Sequence, residues 1–108
     1  MMTVIETHVF AAWAEKVWTD SEREAFVDWI SVNPEAGDVI PGSGGCRKVR
    51  WTRAGTGKRG GARIIYYLRL ANGELVPLLV YAKSRLDNIS AASLAKMKEK
   101  LDAQEHRP

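Results

Sequence analysis

Hydrophobic positions along the chain change period several times, and each change marks an element. Thr3-Val4-Ile5-Glu6-Thr7-His8-Val9-Phe10 is rich in β-branched residues and reads as a short strand. Residues 11–17 read as a turn or two of helix. Thr19-Asp20-Ser21-Glu22 then carries a capping-box signature, with Glu22 three positions after Thr19. Phe26, Trp29 and Ile30 recur at spacings of three and four, which is one face of a helix. That helix is expected to stop at Asn33-Pro34, because proline drives the residue before it out of the α region.

The second half alternates with period two. After the glycine-rich loop Pro41-Gly42-Ser43-Gly44-Gly45, residues Arg47 to Thr52 predict a strand. Lys48 and Arg50 lie on one face of it, with Arg47, Val49 and Trp51 on the other. A second loop, 54–61, has four glycines around Lys58-Arg59. Ala62–Leu70 and Glu74–Ala82 flank Asn72-Gly73, the preferred type I′ hairpin turn, in which both central residues need positive φ. That turn sets Leu70 opposite Leu75, Tyr66 opposite Leu79 and Ile64 opposite Tyr81. Both strands are apolar on both faces, so the hairpin is expected at the centre of a sheet, covered by helices on at least one side. Leu94, Met97 and Leu101 define the buried stripe of a last helix starting near Ser90. The order β-α-α-β-β-β-α predicts one α+β domain over residues 1–108: a small, mostly antiparallel sheet with two N-terminal helices and a C-terminal helix.

Charge sharpens this picture. No acidic residue occurs from position 39 to 73, while Arg47, Lys48, Arg50, Arg53, Lys58, Arg59, Arg63 and Arg69 all fall there. That window carries +8 in a chain of net charge +3, which leaves −5 for the remainder. So lopsided a field attracts polyanions far better than a mildly basic average would. The chain has no apolar run of bilayer-crossing length, and its first residues lack the basic and apolar stretches of a secretory signal. With a single cysteine, Cys46, no internal disulfide can form, so a cytoplasmic, reducing location is expected.

Several familiar chemistries find no support. Gly55-Thr56-Gly57-Lys58-Arg59-Gly60 satisfies GxGxxG, but a strand follows where a dinucleotide site needs a helix N-terminus. A phosphate-binding P-loop fails because Thr52 stands at its first glycine and Arg59 at its Ser/Thr. The segment reads instead as a basic loop that brings Lys58 and Arg59 to phosphates. The only histidines, His8 and His106, are at opposite ends of the chain, so nucleophilic triads are disfavoured. Cations beside Cys46 can lower a thiol pKa, but no histidine partner is at hand. No metal or other cofactor is expected, since acids avoid the basic region. Trp13, Trp18 and Trp29 read as core. Trp51, beside Arg50, reads either as core or as a platform for a base.

What remains is a cluster of cations on a sheet with tyrosines nearby, and RNA can be cut with such equipment. The 2′-hydroxyl is an internal nucleophile beside the phosphorus. Arginine suits the charge that builds on the phosphorane oxygens, through its bidentate geometry. Lysine or tyrosine can move protons if neighbouring cations bring its pKa toward neutrality.

These segments also resemble a known family. Asp38-Val39-Ile40-Pro41-Gly42-Ser43-Gly44-Gly45-Cys46-Arg47-Lys48-Val49-Arg50 is similar to the G-D-x-I-x-G-(S/T)-G-G-x-R-K-(I/V)-R segment of HigB-type toxins of the RelE/ParE superfamily. Gly57-Lys58-Arg59-Gly60-Gly61-Ala62-Arg63-Ile64-Ile65-Tyr66-Tyr67 resembles that group's G-K-R-G-G-x-R-(V/I)-I-Y-Y. Leu79-Val80-Tyr81-Ala82-Lys83-Ser84-Arg85-Leu86-Asp87-Asn88-Ile89 resembles the motif that follows. The resemblance implies the toxin of a type II toxin–antitoxin pair that cleaves mRNA in the A site of the 30S ribosomal subunit. It implies a monomeric free toxin and a HigA-like helix-turn-helix antitoxin. Carried over by position, Lys48, Arg50, Arg63 and Lys83 are the expected catalytic residues. Arg63 would stabilise the transition state, and Lys48 or Lys83 would transfer protons. Arg53, Lys58, Arg59, Tyr81 and Arg85 would bind RNA. RelE itself places a reactive tyrosine in its C-terminal tail; here that stretch is Ser90-Ala91-Ala92-Ser93, with Tyr81 the substitute. Simple alternation puts Arg63 and Lys83 on opposite faces unless a bulge intervenes. Two other expectations fit the same basic scaffold: a ParE-like, non-enzymatic inhibitor of DNA gyrase, and a non-catalytic RNA- or ribosome-binding module.

Overall fold

A computed structural model describes residues 1–51, 61–82 and 89–105. The chain is α+β; its described residues form three helices and a mostly antiparallel five-stranded sheet. In order, the elements are β1 (Thr3–Val4), α1 (His8–Val17), α2 (Asp20–Val32), β2 (Asp38–Val39), β3 (Arg47–Trp51), β4 (Ala62–Arg69), β5 (Glu74–Ala82) and α3 (Ala91–Glu105). The strands lie in the order β1-β5-β4-β3-β2, and only the β1–β5 pair is parallel. No helix among the described residues is long and apolar enough to cross a membrane.

The first strand is far shorter than its β-branched sequence predicts. Thr7 ends it by capping α1: its hydroxyl accepts a 3.1 Å hydrogen bond from the Phe10 N–H. The cap satisfies a donor that the helix cannot, and it turns Phe10 and Ala14, four apart, into the core. A local cap with a buried face thus outweighs strand propensity. The capping box at the start of α2 forms as predicted, with Thr19 and Glu22 each accepting the other's backbone N–H. The helix ends at Val32, with Asn33 as its cap before Pro34.

The hairpin is central, as its two-sided apolar pattern requires, but its register differs from the one the turn residues predict. Arg69, not Ala71, faces Glu74, and Leu68 faces Leu75. Leu70–Asn72 form a single 3₁₀ turn, and Gly73 alone takes positive φ, at 66°. Closing the loop this way leaves Leu70 75% exposed, seats Leu75 in the core and joins Arg69 to Glu74 at 3.3 Å. A bulge then interrupts the ladder between Ile65 and Tyr66, where partners change from Pro77 to Leu79. Pro77 has no N–H to give a ladder, and in an inner strand a bulge accommodates it. Leu78 and Leu79 consequently pack in one cluster, on the same face.

Each face has its own core. Phe10, Phe26, Ile30, Ile64, Tyr66 and Val80 bury one face beneath α1 and α2. Ile65, Tyr67, Val76, Leu79, Tyr81 and Leu94 bury the other beneath α3. The C-terminal helix opens on Ser90, whose hydroxyl accepts from the Ser93 N–H, and presents the predicted stripe of Leu94, Met97 and Leu101. A polar clamp fixes its far end: the Tyr67 hydroxyl donates to Asp102 at 2.8 Å, and Arg69 Nη2 lies 2.9 Å from the same carboxylate oxygen. Burial raises the carboxyl pKa of Asp102, but the Tyr67 and Arg69 hydrogen bonds and the charges of Lys98 and Arg69 outweigh it, and the net shift is downward. Burial, helped by the hydrogen bond to Asp102, pushes the Tyr67 phenol well up.

The linkage has a definite sign. A lowered carboxyl pKa contributes stability above the ordinary carboxylate range, and that stability is lost as pH falls through that range and below it. Asp102→Asn is expected to cost about 1–2 kcal/mol at neutral pH, the usual contribution of hydrogen bonds to a charged group, reduced by its partial exposure. It should also flatten the acid limb of the stability profile. Urea unfolding from pH 2 to 8 measures both, and an unaltered acid limb would exclude Asp102 as its source.

Candidate nucleic-acid interface

Registers on β2, β3, β4 and β5 place the basic residues in space. Directly paired residues share a face. Asp38 pairs with Lys48, Lys48 with Ile65, Arg50 with Arg63, and Arg63 with Tyr81. All these residues therefore occupy the α3 face, while Arg47, Val49 and Trp51 take the reverse, as alternation along β3 predicts. Among the described residues, α3 packs on this face from Asp102, beside Tyr67 and Arg69, to Leu94. Beyond it a cleft of about 530 Å³ is lined by Lys48, Arg50, Arg63 and Asp38. Its apolar lining includes Ile40, Pro41, Ile89 and Leu94. The volume lies within the range of small-molecule sites.

Arg50 against Arg63 is an unfavourable pair by itself, because like charges directly opposite on a sheet repel. Elsewhere in the chain, cations serve stability: Arg69 meets Glu74 and Asp102, and Arg23 lies 3.6 Å from both Glu6 and Asp20. Arg50 is exposed and has no ion-pair partner among the described residues. Arg63 and Lys48 are half-buried, and Nη1 of Arg63 is enclosed. Two guanidinium groups on neighbouring strands, with Lys48 two residues before Arg50 and diagonal to Arg63, have the chemistry to suit an anion with several oxygens.

The tyrosines divide differently from the expectation. Tyr66 points to the opposite face, where its hydroxyl donates to the Pro34 carbonyl at 2.7 Å and accepts from the Gly37 N–H at 2.9 Å. Burial raises its pKa, and Tyr67 is held in the Asp102 clamp. Neither is suited to move a proton in the cleft. Tyr81 stands next to Arg63 in register, but it is 2% exposed, packs in the core under α3 and is not among the cleft's lining residues. Trp51 has its reading settled by position. It lies on the reverse face, 5.0 Å from Trp29 and 5.6 Å from Phe26 between ring centroids, so it is a core residue and no platform for a ligand in the cleft.

Cys46 is fully buried, and burial raises its thiol pKa despite the Ser43 hydrogen bond and the Lys98 charge. The lowering expected from neighbouring cations in the sequence is overruled, because desolvation of the buried thiol is the larger effect. His8 is exposed at the first position of α1 and does not line the cleft. Among the described residues, no three His, Cys, Asp or Glu side chains are grouped to hold a metal ion. Arg53, Lys58, Arg59, Lys83 and Arg85, with loop residues 54–60 and His106, lie outside the described residues. The bulge does bring Tyr81 onto the Arg63 face, the direction needed to reconcile β5 with β4.

Asp38 is the residue that sequence reasoning missed. It appears there only as the first residue of the Asp38–Arg50 segment, with no role assigned. The signal was its place in the G-D segment, with a loop just long enough to fold it back against Lys48. No protein-family model matches the chain.

Arg50→Glu replaces a like-charge pair with an opposite one. It is expected to leave the fold intact and raise its stability by about 0.2–1 kcal/mol, while abolishing most of the affinity for phosphate-bearing ligands. Thermal unfolding and heparin retention, measured on the same sample, read the two effects. A marked loss of stability would show that Arg50 serves the fold.

Proposed function

We propose that this protein is an RNA-cleaving toxin of the RelE/HigB kind, which enters the ribosomal A site and cuts mRNA. The observation that carries the reading is the convergence of Lys48, Arg50 and Arg63, from two strands, on one cleft. The ordered resemblance of three segments supports it independently.

In this reading the 2′-oxygen attacks the adjacent phosphorus and the bond to the 5′ oxygen breaks. A 2′,3′-cyclic phosphate and a free 5′-hydroxyl result. Arg63 and Arg50 lie across the phosphate and neutralise the charge gathering on its non-bridging oxygens. One proton leaves the 2′-hydroxyl and another reaches the departing 5′ oxygen; Lys48 and Lys83 are the groups proposed for these transfers. Arg53, Lys58, Arg59 and Arg85 are proposed to hold messenger or ribosomal RNA. The ribosome supplies orientation that the cleft alone lacks, so naked RNA is a poor substrate. The expected partner in the resting cell is a HigA-like antitoxin that lays an acidic or amphipathic segment over the cationic face; the free toxin is a cytoplasmic monomer.

Purified protein added to translating ribosomes should produce codon-spaced mRNA ends, mapped by primer extension. Arg63→Ala is expected to reduce the cutting rate by about 10²–10³-fold, the usual effect of deleting one donor to a developing oxyanion. Intact mRNA together with blocked DNA supercoiling would point instead to a ParE-like gyrase inhibitor. Intact mRNA with ribosome binding retained would leave a non-catalytic module.

The antitoxin reading has its own measurement. Reversing charge at both Lys48 and Arg50 is expected to weaken the cognate complex at least tenfold by calorimetry. Unchanged affinity would move the antitoxin to another surface.

A further inference from the structure

One feature of the cleft works against binding an anion. Asp38 is held in register against Lys48 and lines the same cavity as Arg50 and Arg63, so it repels the phosphate those residues attract. The carboxylate has no evident structural duty. Asp38 is exposed, and among the described residues it accepts no hydrogen bond and forms no ion pair. Its backbone, by contrast, is firmly set. Gly37 next to it is buried, donates to Tyr66 and accepts from Arg47 Nη1 at 2.8 Å. A Cβ on Gly37 would come within 3.0 Å of the Lys48 carbonyl and the Tyr66 ring, so the chain is pressed tightly there. A rigid backbone carrying a free carboxylate into a cationic cleft is what recognition of a neutral hydrogen-bond donor requires.

The surroundings say which donor. Asp38 faces Lys48 and so lies one strand over and two residues along from Arg50, about 8 Å by strand geometry, a nucleotide's reach from that guanidinium. The same cavity is lined by Ile40, Pro41, Ile89 and Leu94, apolar side chains of the kind that pack against an unstacked base. On the reading of this cleft as an RNA site, we propose that it contains a nucleobase subsite beside the phosphate, in which Asp38 reads the base edge and favours guanine. Guanine presents two adjacent donors, N1–H and the N2 amine, which match the two oxygens of one carboxylate. Adenine and cytosine present a single amine beside an acceptor nitrogen. Uracil sets its one N–H between two carbonyl oxygens, which the carboxylate repels. The preference therefore runs from guanine, through adenine and cytosine, to uracil.

The subsite can be tested without the ribosome. The full chain is titrated with the four ribonucleoside 3′-monophosphates, and binding is followed by backbone amide shifts. Guanosine monophosphate is expected to bind at least tenfold tighter than uridine monophosphate, within the discrimination one bidentate base contact supplies. Shifts should fall on the amides of residues 38–40, 48–50 and 89–94. In Asp38→Asn the guanine preference should vanish, while inorganic phosphate binds at least as tightly as to the wild type. Matching amide spectra away from the cleft establish that the variant is folded. Equal affinity for all four nucleotides, binding of none, or a guanine preference that survives Asp38→Asn would each overturn the subsite. Failure here is distinguishable from failure of the functional reading. Codon-spaced cleavage with equal nucleotide affinities removes the subsite and leaves the nuclease. Guanine discrimination with intact mRNA removes the nuclease and leaves the subsite.

Discussion

Arg50 and Arg63 stand one strand apart because the residues behind them leave no alternative. Val49 and Trp51, flanking Arg50 on β3, pack against Ile64, Phe26 and Trp29 on the reverse face. Ile64 and Ala62, flanking Arg63 on β4, join the same core. Slipping the β3–β4 register by one residue would relieve the repulsion between the guanidinium groups, but it would turn that whole apolar set toward solvent. Burying a large apolar side chain is worth about 1.5–3 kcal/mol, whereas a like-charge pair on facing strands costs about 1 kcal/mol. The core wins by a wide margin, so the protein can hold an electrostatically unfavourable arrangement at little risk to its fold.

That asymmetry explains why the site was more legible in the sequence than some of the fold around it. Alternation in Arg47–Trp51 is sufficient to put Lys48 and Arg50 together, and strand order then brings Arg63 to them. The start of α1 and the hairpin register depend on competition instead. Thr7-His8-Val9-Phe10 has strand composition, but it also contains a cap and an i, i+4 pair, and only the docked helix decides between them. Asn72-Gly73 carries a strong turn preference, which Leu75 in the core and the Arg69–Glu74 pair override from a few residues away. Pro77 was the readable warning, since an inner strand accepts proline only where its ladder is broken.

The two faces of the sheet divide their work along β4. Its even-numbered residues from Ala62 to Leu68 build the core under α1 and α2. Its odd-numbered residues pass from Arg63 in the cleft, through Ile65 and Tyr67 under α3, to Arg69 in the polar clamp. The cleft is thus one end of a stripe whose other end anchors the C-terminal helix. The position of that helix also bounds the cleft, because Leu94 belongs both to the packed cluster and to the cavity wall.

This sharing makes α3 more than a cover. Its first turn supplies apolar surface to the site, while the Tyr67–Arg69–Asp102 hydrogen bonds fix its last turns, beyond Leu101. A helix held at its far end by charge-assisted bonds and at its near end by a buried leucine has its polar tether away from the cleft. Leu94 is 1% exposed and sits in the packed cluster, so the cleft's apolar lining is set by how α3 docks on the sheet.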